Sequence, residues 1–458
     1  MSLDTHGIVA GMNEQRFLPG VDAEAAGAAG SREQETGEVG ALRFRRPDRA
    51  QTQLVVCAVD DLVPPDHHVR LIWALVERLD LSRFAASVRV REGEAGRPAT
   101  DVRLLVSLWL WSATQGVGSA REVARLSESH DAYRWLCGGV SVNYHTLSDF
   151  RVANEAALDG LMTQVLALLM AKGLVSVRRI AQDGVRVRAN AGKGSFHRRP
   201  TLETALERAR EQVEVLKRQR EAPAGEDRPS ARVEAARQRA ARERQERLEQ
   251  ALKEMPALEA AKARHNGKAS GAAPRASTTD PEARVMKMPE GGFRPAYNVQ
   301  VACDTSSRAI VGANVTPSGS DKTQSEPMRE EVQRRSGGHV QEHLMDGGFV
   351  RLEDIERAEA AGTAVYAPPQ ASGKGMDPCA VRKDDSAAVA AWRRRMAAPE
   401  GQRIYRERAS TCETINADLT AWRGLGRFLV RGLSKVRCVV LWSALAYNLF
   451  HFARALVT

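Results

Sequence analysis

Val175-Ser176-Val177-Arg178-Arg179-Ile180-Ala181-Gln182-Asp183-Gly184-Val185-Arg186-Val187 is the stretch where the chain changes period. Within it Val177, Ile180 and Val185 stand among polar neighbours, and the run ending in Asp183-Gly184 reads as a strand. Everything upstream, from about residue 65, reads as helix. Residues 67–79 carry Val69, Ile72, Leu75, Val76 and Leu79 at helical spacing, and residues 99–111 carry Val102, Leu105, Val106, Leu108 and Trp109. Ser119 and Glu122 form a capping box ahead of Val123 and Leu126. A short helix near 132–136 follows, then a third behind the cap Asn143, running through Tyr144 and Phe150. A longer helix over 158–171 stops at Gly173. Three short helices in succession suit a helix-turn-helix, or a three-helix packing unit without DNA contact.

Downstream the strand pattern is interrupted and then resumes. Leu202, Leu206, Ala209, Val213 and Leu216 fall at alternating steps of four and three, a coiled-coil seam. Pro223, Gly225 and Pro229 break it, and a second helix from Ser230 carries Val233, Ala236, Ala240, Leu248 and Leu252. An antiparallel helical hairpin at 200–265 is expected, with a solvated surface of mixed Arg and Glu. Residues 297–302 and 309–315 then form a β-hairpin around Asp304-Thr305-Ser306-Ser307. Helices near 326–335 and 352–361 alternate with strands near 340–345 and 364–367, before two final helices, the second over 401–422. That order is α/β, a mixed sheet with helices on its faces.

The bulk numbers bound the rest. A chain of 458 residues is too long for one ordinary core. The expected organisation is a disordered segment at 1–45, a helical domain at 46–175, and a catalytic domain at 176–458. Residues 1–45 are rich in Gly, Ala and Glu without apolar periodicity. A formal net charge of +10 suits a polyanionic partner without selecting one. Six scattered cysteines with no Cys-x-x-Cys pair argue against a zinc ribbon and suit a reducing cytoplasm. No apolar run long enough to span a bilayer is apparent, so no membrane partner is expected. No Gly-x-x-x-x-Gly-Lys-Ser/Thr loop is present, so a nucleotide cofactor is not indicated. His67, His68, His130, His145 and His197 show no metal-ligand spacing.

Three acids stand where a metal site would be built. Asp183 ends the first strand of the sheet, and Asp346 ends a later one in Leu344-Met345-Asp346-Gly347-Gly348-Phe349. Ligands gather at such strand ends in α/β sheets. Glu413 sits mid-helix in Thr411-Cys412-Glu413-Thr414, without an obvious salt-bridge partner. Carboxylates suit hard Mg²⁺, with Mn²⁺ as a substitute, and a pair of such ions drives in-line phosphoryl transfer. Taken singly, each Asp-Gly is as readily a turn, and the Glu a surface residue. Cations stand nearby, each as readily a solvated surface residue as a phosphate contact: Arg186, Arg188, Lys193 and Arg198 on one side, Arg406 and Arg408 on the Glu413 helix.

Several stretches in this order carry a resemblance: Leu104-Leu105-Val106-Ser107-Leu108-Trp109, Tyr144-His145-Thr146-Leu147-Ser148-Asp149-Phe150-Arg151, and Gln182-Asp183-Gly184-Val185-Arg186-Val187-Arg188-Ala189-Asn190-Ala191. Ser277-Thr278-Thr279-Asp280-Pro281-Glu282-Ala283-Arg284, Tyr297-Asn298-Val299-Gln300, Arg431-Gly432-Leu433-Ser434-Lys435-Val436 and Leu445-Ala446-Tyr447-Asn448-Leu449 complete it. From about Phe44 onward the chain resembles the bacterial insertion-sequence transposases that join an all-helical N-terminal domain to an RNase H-like catalytic domain. The resemblance implies that Asp183, Asp346 and Glu413 are the catalytic, metal-holding triad. It also implies that Tyr405 and Arg408 match the residues flanking the Glu, with one residue more between Arg408 and Glu413 than in the commonest form. The usual Lys after the Glu is Thr420 here, which passes its phosphate contact to Arg423 or Arg427.

The implied partners are double-stranded DNA, as terminal inverted repeats and target, and a second copy of the chain. The implied reaction is cleavage of transposon ends and joining to target DNA. The alternatives are an inactive, sequence-specific DNA-binding derivative and a metal-dependent nuclease without strand transfer.

Overall fold

The computed structural model describes residues 56–457 except 87, 89, 91–97, 222–229, 266–272 and 371–375. The segment expected to be disordered, 1–45, lies outside the described residues.

Seven helices come first: α1 (His68–Val76), α2 (Ser82–Ala85), α3 (Val102–Thr114), α4 (Ala120–Ser129), α5 (Asp131–Cys137), α6 (Tyr144–Ala153) and α7 (Glu155–Ala171). Their starts follow the caps written in the sequence. Asp101 accepts from Arg103 N at 2.7 Å, Ser119 from Glu122 N at 3.4 Å, and Asn143 from His145 N at 2.8 Å. In α3 every residue from Leu104 to Thr114 is buried, which makes it a central helix of this part.

The sheet begins with β1 (Arg179–Arg188). A small antiparallel pair, β2 (Phe196–His197) with β3 (Ala276–Ser277), brackets the long hairpin α8 (Arg199–Glu221) and α9 (Ala231–His265). The coiled-coil seam is realised in part: Leu202, Leu206 and Ala209 pack against Leu248, Ala251 and Met255. Val233, expected on the seam, is exposed.

β4 (Arg284–Lys287), β5 (Phe293–Asp304) and β6 (Ile310–Thr316) follow, then α10 (Ser325–Ser336), β7 (Glu342–Met345), α11 (Leu352–Ala360) and β8 (Ala364–Tyr366). The main path through the sheet is β4-β5-β1-β7-β8, with β6 also paired to β5. β5 is antiparallel to β1, while β7 and β8 run parallel to it. Three helices close the chain: α12 (Ala387–Ala397), α13 (Pro399–Ala421) and α14 (Leu433–Val457).

α14 is the element the sequence reading did not find, and it corrects the expectation that no apolar run is long enough to span a bilayer. Leu433–Val457 has the length and apolarity to span a bilayer, but 72% of its apolar window is buried inside the fold. Its residues join one core with those of α1, α3, α7 and β6. It is a core helix, apolar because it is covered on most sides.

Asn448 fixes α14 to the sheet. Its Oδ1 accepts from Ile310 N at 2.9 Å and its Nδ2 donates to Ile310 O at 2.8 Å, where the β5–β6 register slips. Removing both partners strands two buried backbone groups, each costing on the order of 1–3 kcal/mol. Asn448→Ala is therefore expected to lower stability by about 3 kcal/mol in chemical denaturation, without lowering the m-value.

Candidate active site

Asp183 lies inside β1 rather than at its end as expected, because the pairing with β5 carries the strand on to Arg188, and it sits where β1 opens to solvent. Residues 180–182 are buried, and 183–186 are half-buried. Asn416 Nδ2 donates to Asp183 Oδ2 at 3.2 Å, and Gly184 N to Asp183 Oδ1 at 2.9 Å. Arg408 Nη1 stands 3.5 Å from Oδ2 as an ion pair, without hydrogen-bond geometry. Burial raises the carboxyl's proton affinity above the ordinary Asp value. Arg408 and the Gly184 amide oppose that shift, while Asp346 and Asp321 add to it.

The parallel register explains the company of Asp346. Gln182 pairs with Met345, so the next residue on each strand is an aspartate. β7 ends there, and Asp346 is exposed, its Oδ1 accepting from Gly348 N at 3.3 Å at the head of a short 3-10 turn. The turn role weighed for this Asp-Gly is thus real, and it leaves the carboxylate beside Asp183.

α13 supplies the third side. Arg408, Cys412 and Asn416 recur every four residues and form the stripe that faces β1. Cys412 is buried, as is Cys303 on β5, and burial pushes both thiols up, keeping them neutral. Tyr405 packs into the core beneath, with the Arg408 guanidinium 6.0 Å from its ring centre. Glu413 follows Cys412 on the neighbouring stripe and is exposed. It lies on the helix that touches Asp183, not across the sheet. Among the described residues, no group of three or more His, Cys, Asp or Glu side chains stands arranged to hold a metal ion. The structure brings Asp183 and Asp346 together and leaves Glu413 at the rim.

The cations named from sequence divide. Arg186 donates to Gly319 O at 3.0 Å and stands 3.9 Å from Asp321, while Arg188 pairs with Glu290 at 2.5 Å. Arg408 serves Asp183, and Lys193, Arg198 and Arg406 are exposed. Thr420 bonds back to Asn416 O at 2.8 Å. Of its two substitutes, Arg423 is buried, paired with Asp418 at 2.7 Å and donating to Thr114 O at 2.9 Å; Arg427 is exposed.

The Asp280-Pro281-Glu282 stretch has a structural role. Asp280 accepts from Tyr297 Oη at 2.7 Å and Gly432 N at 3.1 Å, and Glu282 accepts from Leu433 N at 2.8 Å. Two carboxylates thus cap the positive end of α14.

Sequence reasoning missed two residues here. Asn416 was findable from its place two four-residue steps after Arg408; Asp321, in the polar loop between β6 and α10, gave no local signal.

His343, three residues before Asp346, is fully buried, and Arg329 Nη1 lies 3.4 Å from its Nδ1. Burial, then the Arg329 charge, hold its proton affinity well below the ordinary imidazole value. The native state keeps it neutral while the unfolded chain takes up a proton below about pH 6.5. Its contribution is therefore present above that pH and is lost as pH falls. Unfolding midpoints are expected to drop between about pH 7.5 and 5.5, and less steeply in His343→Gln. Equal slopes in the two proteins would remove His343 as a source.

Comparison with known families now bears on the arrangement. Residues 262–449 match the family described as transposase DDE domain, a span that includes Asp346 and Glu413 and begins after Asp183. Residues 58–153, a span that holds α1 to α6, match the transposase domain DUF772. Neither a curated protein nor a solved structure matches the chain. Two transposase matches in series, helical part first and sheet second, put this chain among the DDE transposases of insertion sequences, enzymes that act on DNA.

Proposed function

We propose that this transposase cleaves the phosphodiester at each transposon end and joins the freed 3′-hydroxyl to target DNA, at a centre built on Asp183, Asp346 and Glu413. The observation that carries the reading is the β1–β7 register, which sets two aspartates side by side at the open part of the sheet. The strand order, with β1, β7 and β8 parallel and β5 and β6 forming an antiparallel extension, supports an RNase H-like catalytic domain over 176–458. The helical hairpin at 200–265 is its insertion, and the helical domain at 46–175 binds the terminal inverted repeats. Paired ends call for a homodimer, working in the cytoplasm.

The donor set fits a hard divalent cation, Mg²⁺ first and Mn²⁺ as substitute: oxygen ligands only, one of them a carboxylate whose burial is under-compensated. Asp183 and Asp346 would hold it, joined by Glu413 once that exposed side chain turns toward the strand ends. Bound ions would supply Lewis-acid stabilisation to the attacking and leaving oxygens. The chain's own residues do the rest. Asn416 and the Gly184 amide orient Asp183, and Arg408, held near Asp183 without a hydrogen bond, is free to turn to a phosphate oxygen. Lys193, Arg198 and Arg406 meet the DNA backbone from the surface, with Tyr405, Arg186 and Arg188 ordering the rim.

A strand-transfer assay on end-bearing DNA with Mg²⁺ or Mn²⁺ tests this. Joined products are expected, nicks alone would indicate a nuclease, and salt-sensitive binding without cleavage an inactive derivative. Glu413→Gln should bind ends and fail to cut them; wild-type cutting by that variant would take Glu413 out of the centre.

A further inference from the structure

We propose that Asp321 is a positioning residue, clamping a buried amide layer against the back of β1 and thereby holding Asp183 at its place in the centre. The inference rests on the reading of Asp183 as a catalytic carboxylate.

Side chains alternate along a strand, so Gln182, Gly184 and Arg186 face away from α13. Opposite Gly184 and Arg186 on β5 stand Gln300 and Asn298, both buried. Asp321 Oδ1 accepts from Asn298 Nδ2 at 2.7 Å and from Gln300 Nε2 at 2.8 Å. Gln300 Oε1 in turn accepts from Gln182 Nε2 at 2.9 Å, and the same amide donates to Gln324 O at 3.1 Å. Arg186 reaches Gly319 O of the same loop. The loop from Pro317 to Gln324 is thus tied to β1 on both sides of Gly184.

The layer also touches Gly184 itself. A Cβ there would collide with Asp321 Oδ1, lie 2.5 Å from Gln300 Nε2, and lie 2.9 Å from Asn298 Oδ1. Gly184 therefore lets the loop seat directly on the strand, one residue from Asp183.

Stability alone does not account for this arrangement. Two buried oxygens, Gln182 Oε1 and Asn298 Oδ1, have no partner, and a half-satisfied polar layer is less favourable than an apolar one. Further along the same face Gly312 is covered by Met328 and Val332 of α10, an apolar solution. The polar solution is confined to the part of β1 behind Asp183. What amide and carboxylate bonds provide there, and methyl groups do not, is a directional fix on strand height.

The test uses the full chain, comparing wild type with Asp183→Asn, Asp321→Ala, Asp321→Asn and Gln300→Met. A misplacement of about 1 Å costs on the order of 10²-fold in rate. Asp321→Ala and Gln300→Met are expected to lower kcat for end cleavage by about 10- to 100-fold with KM for end DNA unchanged. Asp321→Asn, which keeps an oxygen for both amides, should recover most of the rate. An Asp321→Asn enzyme as slow as a folded Asp321→Ala overturns the proposal, and wild-type kcat in Gln300→Met overturns it even if Asp321→Ala does not fold. Wild-type cleavage by Asp183→Asn would instead overturn the underlying assignment of the centre.

Discussion

Asp183→Asn should lose end cleavage by on the order of 10³-fold or more while still binding transposon ends. The exchange keeps shape and removes one negative charge. Several kcal/mol of transition-state stabilisation depend on carboxylates holding divalent ions, and each 1.4 kcal/mol is about tenfold in rate. DNA affinity comes chiefly from cations on the surface, and that part of the molecule is untouched. Fold stability should hold as well. Burial penalises the ionised form of Asp183 more than Arg408 compensates it, so a neutral amide at this position relieves a cost. The measurements are single-turnover cleavage, a gel-shift titration and thermal unfolding. Cleavage within about threefold of wild type would remove Asp183 from the chemistry.

Gly184→Ala should be the more damaging of the two to the fold. Its φ is not left-handed, so backbone freedom is not the reason for glycine. The reason is space: an added methyl meets polar atoms of Asp321, Gln300 and Asn298, side chains that hydrogen bonds tie to one another, so they do not give way as loose ends would. Overpacking a fixed site costs about 1–3 kcal/mol. Displacing the Asp321 loop strands its amides as well, so a loss of about 3 kcal/mol or more in unfolding free energy is expected, with cleavage falling in step. An alanine variant of wild-type stability would show the layer to be soft.

Several elements were legible because their periodicity is clean. The β5–β6 hairpin alternates around a turn, and α13 shows a buried side and an exposed one. α14 was not legible, for a physical reason. Gly424, Gly426 and Gly432 punctuate the approach to it, and a helix covered on most sides carries no amphipathic stripe. β4 is short and, among the described residues, pairs only with β5, so little pattern survives in Arg284–Lys287. In the centre, Asp346 could be found because it follows a recognisable strand, and Asp183 because it lies in one, although that strand runs on to Arg188. Asn416 and Asp321 act on a strand more than a hundred residues away in sequence. Ser318-Gly319-Ser320-Asp321 has the composition of any surface turn, and only the folded sheet shows what its carboxylate grips.

The placement of α14 also bears on how the protein is made. A ribosome releases Leu433–Val457 after every other described helix and strand, yet this segment fills the seam between α1, α3, α7 and β6. Until it emerges, the earlier helices and the sheet have an open apolar face and cannot settle. A copy of the gene interrupted by a stop codon before Leu433 should therefore yield a chain that aggregates or is degraded, rather than a truncated competitor for transposon ends.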